Sequence, residues 1–174
     1  LTREHGLHLN VDLDGPSCPA PLMVTIGQPD EGAHLYLDLE VEGLRVHLRD
    51  EGPRDDPTPI VLIHGTSASL HTWDGWTDAL RNDRRVIRFD LPGFGLTGPN
   101  AAQDYSMAVY VHFVLALLDQ LGVQRFAMGG NSLGGEVAWA TAHAAPQRVD
   151  RLILVDAAGY AFQSTSLPLA FRVA

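Results

Sequence analysis

Residues 129–135 read Gly-Gly-Asn-Ser-Leu-Gly-Gly, directly after the apolar run Phe126-Ala127-Met128. The run reads as a strand, and the Ala-rich stretch Glu136 to Ala145 that follows has the composition of a helix. Between them lies a G-x-S-x-G turn with Ser132 at its centre. A serine at a sharp strand-to-helix corner is held in a strained conformation, so its neighbours two residues away must be small. Gly130 and Gly134 stand at those positions. The hydroxyl then points away from the sheet, and the N–H groups at the helix start face any negative charge that develops beside it. The plainer reading of the same residues is a glycine-rich turn with an ordinary helix-capping serine.

Upstream, Pro59 to Thr66 reads Pro-Ile-Val-Leu-Ile-His-Gly-Thr. Four consecutive apolar residues, three of them β-branched, predict a strand buried on both faces, as in a parallel sheet. It ends at His64-Gly65, where the chain turns sharply and leaves the Thr66 N–H pointing above the sheet edge. A polar loop and a short amphipathic segment with Trp73, Trp76 and Leu80 follow. Val86-Ile87-Arg88-Phe89 predicts another strand, and Asp90-Leu91-Pro92-Gly93-Phe94-Gly95 a rigid loop of turn residues. Asp90 is expected to accept hydrogen bonds from loop N–H groups. A metal role for it lacks a second carboxylate or histidine at ligand spacing.

Together these segments resemble the α/β-hydrolase family. The matching features are the HG turn after a strand, the DLPGFG loop, the GNSLGG elbow and the strand Arg151 to Asp156, in the family's order. They span about Leu35 to Tyr160. The resemblance implies Ser132 as nucleophile and an oxyanion hole built from the backbone N–H groups of Thr66 and Leu133. It implies an ester or related acyl bond as the target, through an acyl-enzyme, with no metal and no organic cofactor. Carbon–carbon bond hydrolases and perhydrolases of the same family share these motifs.

The family's triad order is Ser, then Asp or Glu, then His. After Ser132 the sequence holds only His143, on the elbow helix itself. Eleven helical residues rise roughly 16 Å, so His143 does not reach back to the helix start. His64 stands at the oxyanion turn, His112 in a helical run and His71 in a loop, while His5 and His8 precede the recognisable fold. Asp156 ends the strand after the elbow. Some relatives, haloalkane dehalogenases among them, place the triad acid near this point, whereas most place it one strand later, which would leave Asp156 structural.

These residues predict an α/β fold with a mostly parallel sheet and an N-terminal antiparallel hairpin, cut off before the family's last strands. Residues 1–32 are read as a leader or added strands, 33–160 as the hydrolase core and 161–174 as the start of a cap segment. The expected chain is the N-terminal portion of a hydrolase, inactive alone because the triad histidine is absent. The rival class is a non-catalytic binding protein on the same scaffold.

The formal charge of −9, with much of the acidity between Asp30 and Asp56, argues against nucleic acid and anionic membrane as partners. A small neutral or apolar substrate is expected instead. Cys18 is the only cysteine, so no intrachain disulfide is possible. No secretory signal is visible, and a cytoplasmic location is expected. The apolar helix predicted over Met107 to Leu121 carries His112 and Asp119 and is too short to span a bilayer. Leu35, Leu37, Leu39 and Val41, then Leu44, Val46 and Leu48, alternate around Glu42-Gly43 and predict the hairpin.

Overall fold

A computed structural model of the chain describes residues 34–39, by their backbone, and 43–160. The segments read as leader (1–32) and cap (161–174), with Cys18 and Val41, lie outside the described residues. The hairpin forms as expected. Strand β1 (His34–Leu39) pairs antiparallel with β2 (Leu44–Glu51), with Leu39 opposite Leu44.

The remaining strands are β3 (Ile60–Ile63), β4 (Val86–Phe89), β5 (Phe126–Asn131) and β6 (Val149–Val155). The sheet has six strands in the order β1-β2-β4-β3-β5-β6. Strand β2 joins β4 antiparallel, and β4, β3, β5 and β6 run parallel. The two central strands β3 and β4 are buried along their whole length. This is why the IVLI run carries no polar alternation: both of its faces need apolar cover.

A 3-10 turn (Leu70–Trp73) and α1 (Asp74–Leu80) cover one face, where Ile60, Leu62, Trp73 and Ala127 pack with Leu80. Helices α2 (Met107–Gln120) and α3 (Leu133–Ala144) cover the other. There Val61, Ile63, Ile87, Phe89 and Met128 of the sheet meet Phe113, Val114, Leu117, Val137 and Ala138. Helix α2 ends in a Schellman motif, with the Val123 N–H on the Leu118 carbonyl (2.8 Å) and the Gly122 N–H on that of Asp119 (3.0 Å). The positive φ of Gly122 (68°) permits it, so the glycine read as a stop signal is one.

Arg88 breaks the apolar pattern of the α1 face. It is 2 % exposed, and its Nη2 lies 2.8 Å from Glu51. Its Nη1 donates to the Leu70 carbonyl at 3.3 Å and pairs with Asp74. The pairing ties the 3-10 turn and α1 down onto β2 and β4. It also holds the Asp74 carboxyl below its usual value, against the opposing effect of its partial burial.

Gly75 in α1 has open space where a side chain would stand. Gly75→Ala should therefore raise stability by about 0.4–1 kcal/mol in a urea titration, because it only narrows the unfolded ensemble. Among the described residues β6 is an edge strand, and its Leu152, Ile153 and Leu154 are each 38–40 % exposed.

Candidate active site

The elbow forms where β5 meets α3. Ser132 has φ 50° and ψ −117°, outside the regions open to ordinary L-residues. Such strain persists only where the surroundings over-determine it. Here the Ser132 N–H donates to the Val155 carbonyl at 3.1 Å. The Ser132 carbonyl accepts from Glu136 N–H (3.1 Å) and Ala158 N–H (2.9 Å). The side chain makes no capping bond to α3, so the helix-capping reading of this serine does not hold. Helix α3 starts at Leu133, three residues earlier than the Ala-rich composition suggested.

The small flanking residues have a direct steric cause. A Cβ on Gly130 would stand 2.1 Å from the Gly134 carbonyl oxygen. One on Gly134 would stand 2.3 Å from that of Ile63 and 2.4 Å from that of His64. The start of α3 is thus pressed against the end of β3. A Cβ on Gly65 would lie 3.1 Å from the Cβ of Ser132, so the HG turn and the elbow are in contact.

The HG turn is equally fixed. Gly65 to Ala68 form a four-residue turn closed by the Ala68 N–H on the Gly65 carbonyl (3.3 Å), with Ser67 at φ 59°. His64 is fully buried, its Nε2 accepts from the Leu91 N–H at 3.0 Å, and its Nδ1 faces the Gly65 carbonyl at 2.8 Å. An acceptor at Nε2 and a carbonyl at Nδ1 require the neutral ring with its proton on Nδ1. The edge of the Phe94 ring packs at 5.6 Å between centroids.

Burial pushes the His64 pKa below its ordinary 6.5, against the opposing pull of the Gly65 bond and the Asp90 charge. The unfolded chain therefore binds this proton at a higher pH than the folded one, and stability rises with pH in that window. The contribution of His64 is full above about pH 6.5 and is lost as pH falls toward the lowered native value. Urea midpoints measured through this range should decline on the acid side, and His64→Phe should flatten the decline. An equal slope in that variant would assign the effect to another group.

With this geometry in view, the chain can be set beside known proteins. A family model described as the alpha/beta hydrolase fold matches residues 58–173. The chain belongs to the α/β-hydrolase fold family. A 2-hydroxymuconate semialdehyde hydrolase of Pseudomonas sp. (strain CF600) is 33% identical over 140 residues, which is 79% of this chain and 48% of the relative. Human epoxide hydrolase 4 is 30% identical over 132 residues, 75% of this chain and 36% of the relative. The structure of a meta-cleavage product hydrolase from Pseudomonas fluorescens IP01 superposes with a TM-score of 0.67 at 31% identity, over 79% of this chain and 47% of that one. The chain spans about half the length, or less, of the curated relatives it matches.

On this hydrolase fold, the residues singled out in the sequence come to one edge of the sheet. Thr66 follows β3, Ser132 and Leu133 follow β5, and Asp156 follows β6. Among the described residues, neither the Thr66 N–H nor the Leu133 N–H donates a hydrogen bond. Asp156 is exposed, at φ 46°, one residue after the carbonyl that holds the Ser132 N–H. The side chain of Asn131 reaches the same carbonyl, with Nδ2 donating at 3.1 Å. Elbow and β6 end are therefore locked together. Asp90 acts as expected: its carboxylate accepts from Leu70 N–H (2.7 Å) and Leu96 N–H (2.9 Å).

Of the remaining histidines, His143 is exposed in the last turn of α3 and His112 is exposed on α2. His71 is exposed, with Nδ1 3.0 Å from Asp74. Phe94 and Trp139 are half-buried, and Trp139 donates its indole N–H to the Ala158 carbonyl (3.2 Å). Trp73 belongs to the core. Sequence reading passed over His47, which lies 2 % exposed with Nδ1 2.8 Å from Asp90. In β2 it sits between the apolar Val46 and Leu48, on the side that alternation assigns to solvent. The carboxylate of the DLPGFG loop, distant in sequence, pairs with it there.

Among the described residues no helix is long and apolar enough to cross a membrane, and no group of three or more His, Cys, Asp or Glu is placed to hold a metal ion.

Proposed function

We propose that this chain carries the nucleophile and the oxyanion site of a serine hydrolase that cleaves a carboxylic ester or related acyl bond. The observation that carries the reading is the strained, outward-held Ser132, pressed against a turn whose N–H is unclaimed. Ser132 Oγ attacks the carbonyl carbon, and the oxygen that gains charge is met by the N–H groups of Thr66 and Leu133. The leaving alcohol departs and an acyl-serine remains, which water then hydrolyses. None of the described histidines is assigned as general base: His64 has both ring nitrogens engaged and His143 stands at the wrong end of α3. Asp156 is the acid proposed to orient a base supplied by residues outside those described.

A second reading keeps the same first step and changes the leaving group. The 2-hydroxymuconate semialdehyde hydrolase among the relatives favours a carbon–carbon bond next to a carbonyl group as the target. Hydrolysis of p-nitrophenyl acetate and of 2-hydroxymuconate semialdehyde by the full-length protein, compared with its Ser132→Ala variant, separates the readings. Turnover of neither substrate above that of the variant would favour a binding protein on a hydrolase scaffold.

A further inference from the structure

A chain of buried hydrogen bonds leads from β2 to the HG turn. The His47 backbone N–H donates to Thr97 Oγ1 at 3.0 Å, and that hydroxyl donates to the Asp90 carbonyl at 2.8 Å. The N–H at the other end of the same peptide unit, that of Leu91, donates to His64 Nε2 at 3.0 Å. His64 Nδ1–H then donates to the Gly65 carbonyl at 2.8 Å. The N–H at the far end of that peptide unit is the Thr66 N–H. A planar trans peptide fixes its N–H opposite its C=O, so pinning each carbonyl aims the N–H beyond it.

Every donor in this series points the same way. A carbonyl that accepts a proton makes the N–H of its own peptide a stronger donor, and an imidazole that accepts at one nitrogen donates more strongly from the other. The bonds are shielded from water, since His64 is fully buried and Thr97 is 6 % exposed. The last donor in the series ends on no described acceptor. The turn that carries it touches the elbow, where a negative charge would complete the series.

We propose that Thr97 is a positioning residue for the oxyanion site, aiming and polarising the Thr66 N–H through Asp90, Leu91 and His64. The proposal rests on the reading of Thr66 as an oxyanion donor. Thr97→Val keeps the shape of the side chain and removes the hydroxyl, whereas Thr97→Ser keeps the hydroxyl.

In NMR spectra of the whole chain, Thr97→Val should move the Leu91 and Thr66 amide protons and the His64 Nδ1 proton upfield, and Thr97→Ser should restore all three. In the Ser132-dependent release of p-nitrophenol from p-nitrophenyl acetate, Thr97→Val should lower kcat about tenfold with KM little changed. That loss is smaller than the roughly hundredfold or more that follows removal of an oxyanion donor itself. Unmoved Leu91 and Thr66 signals in a folded Thr97→Val variant would overturn the proposal. Should that variant not fold, the wild-type spectrum decides. A nitrogen–nitrogen coupling between Leu91 and His64 Nε2, with the proton on Nδ1, supports the chain, and the proton on Nε2 refutes it. If the full-length wild type and its Ser132→Ala variant release nitrophenol alike, the hydrolase reading fails, and the NMR signals still decide whether the chain of bonds exists.

Discussion

In the full-length protein, Ser132→Ala should lower kcat by about 10^4- to 10^6-fold, with the fold intact. The size follows from the role proposed for the residue. Without Oγ no acyl-enzyme forms, and only binding and the oxyanion donors remain to assist water. The strain at Ser132 adds a second readout. Alanine fits φ 50° and ψ −117° no better than serine does, and the Val155, Glu136 and Ala158 bonds that hold this backbone are unchanged. Thermal stability should therefore move little, and circular dichroism before and after heating checks it. Residual turnover near wild type in a folded Ser132→Ala protein would remove the serine from the chemistry.

Gly134→Ala should do the reverse of what helix propensity predicts. At an unobstructed helical position the change gains up to about 1 kcal/mol. In the first turn of α3 the new methyl group would meet two carbonyl oxygens of the β3 end, at 2.3 and 2.4 Å. Backbone cannot swing aside as a side chain does, so the helix must lift off the strand. Overpacking of this kind costs about 1–3 kcal/mol, which lowers the Tm by about 2–4 °C per kcal/mol in a chain of this size. The lift also separates Ser132 from the HG turn, and a misplacement near 1 Å costs about a hundredfold in rate. The prediction is a joint loss, read by calorimetry and by ester hydrolysis. A stabilised, fully active Gly134→Ala protein would mean that the β3 end and α3 are not in contact.

The sheet and its elbow were legible in the sequence because they rest on local constraints. The IVLI run has no place except between two apolar layers, and Gly130 and Gly134 mark a corner where no side chain fits. The hairpin declared itself by alternation and by Gly43, which takes φ 66°. The buried polar residues were not legible. Arg88 lies in a run that reads as purely hydrophobic packing, yet its guanidinium is buried against Glu51 and Asp74. His47 meets Asp90 and Thr97 from 43 and 50 residues away in the chain, and no spacing rule links it to them. Asp156 shows the same limit from the other side. Its place at a strand end was readable, but not its left-handed backbone and exposed carboxylate, which come just before Ala157 meets α3 at Gly135.

The strand order has a kinetic consequence. Thr66 and Ser132 sit on β3 and β5, which are neighbours in the sheet although α1, β4 and α2 lie between them in the chain. Closing so long a loop costs chain entropy before any contact between the two strands repays it, and such pairings form late. The hairpin β1–β2 and the helical segments need no such closure. Ser132 and the turn at Thr66 therefore come together only once β3 and β5 have paired. If the two act as proposed, a chain without that pairing holds neither the hole for charge nor the hydroxyl aimed at it, and the site exists only in the assembled sheet.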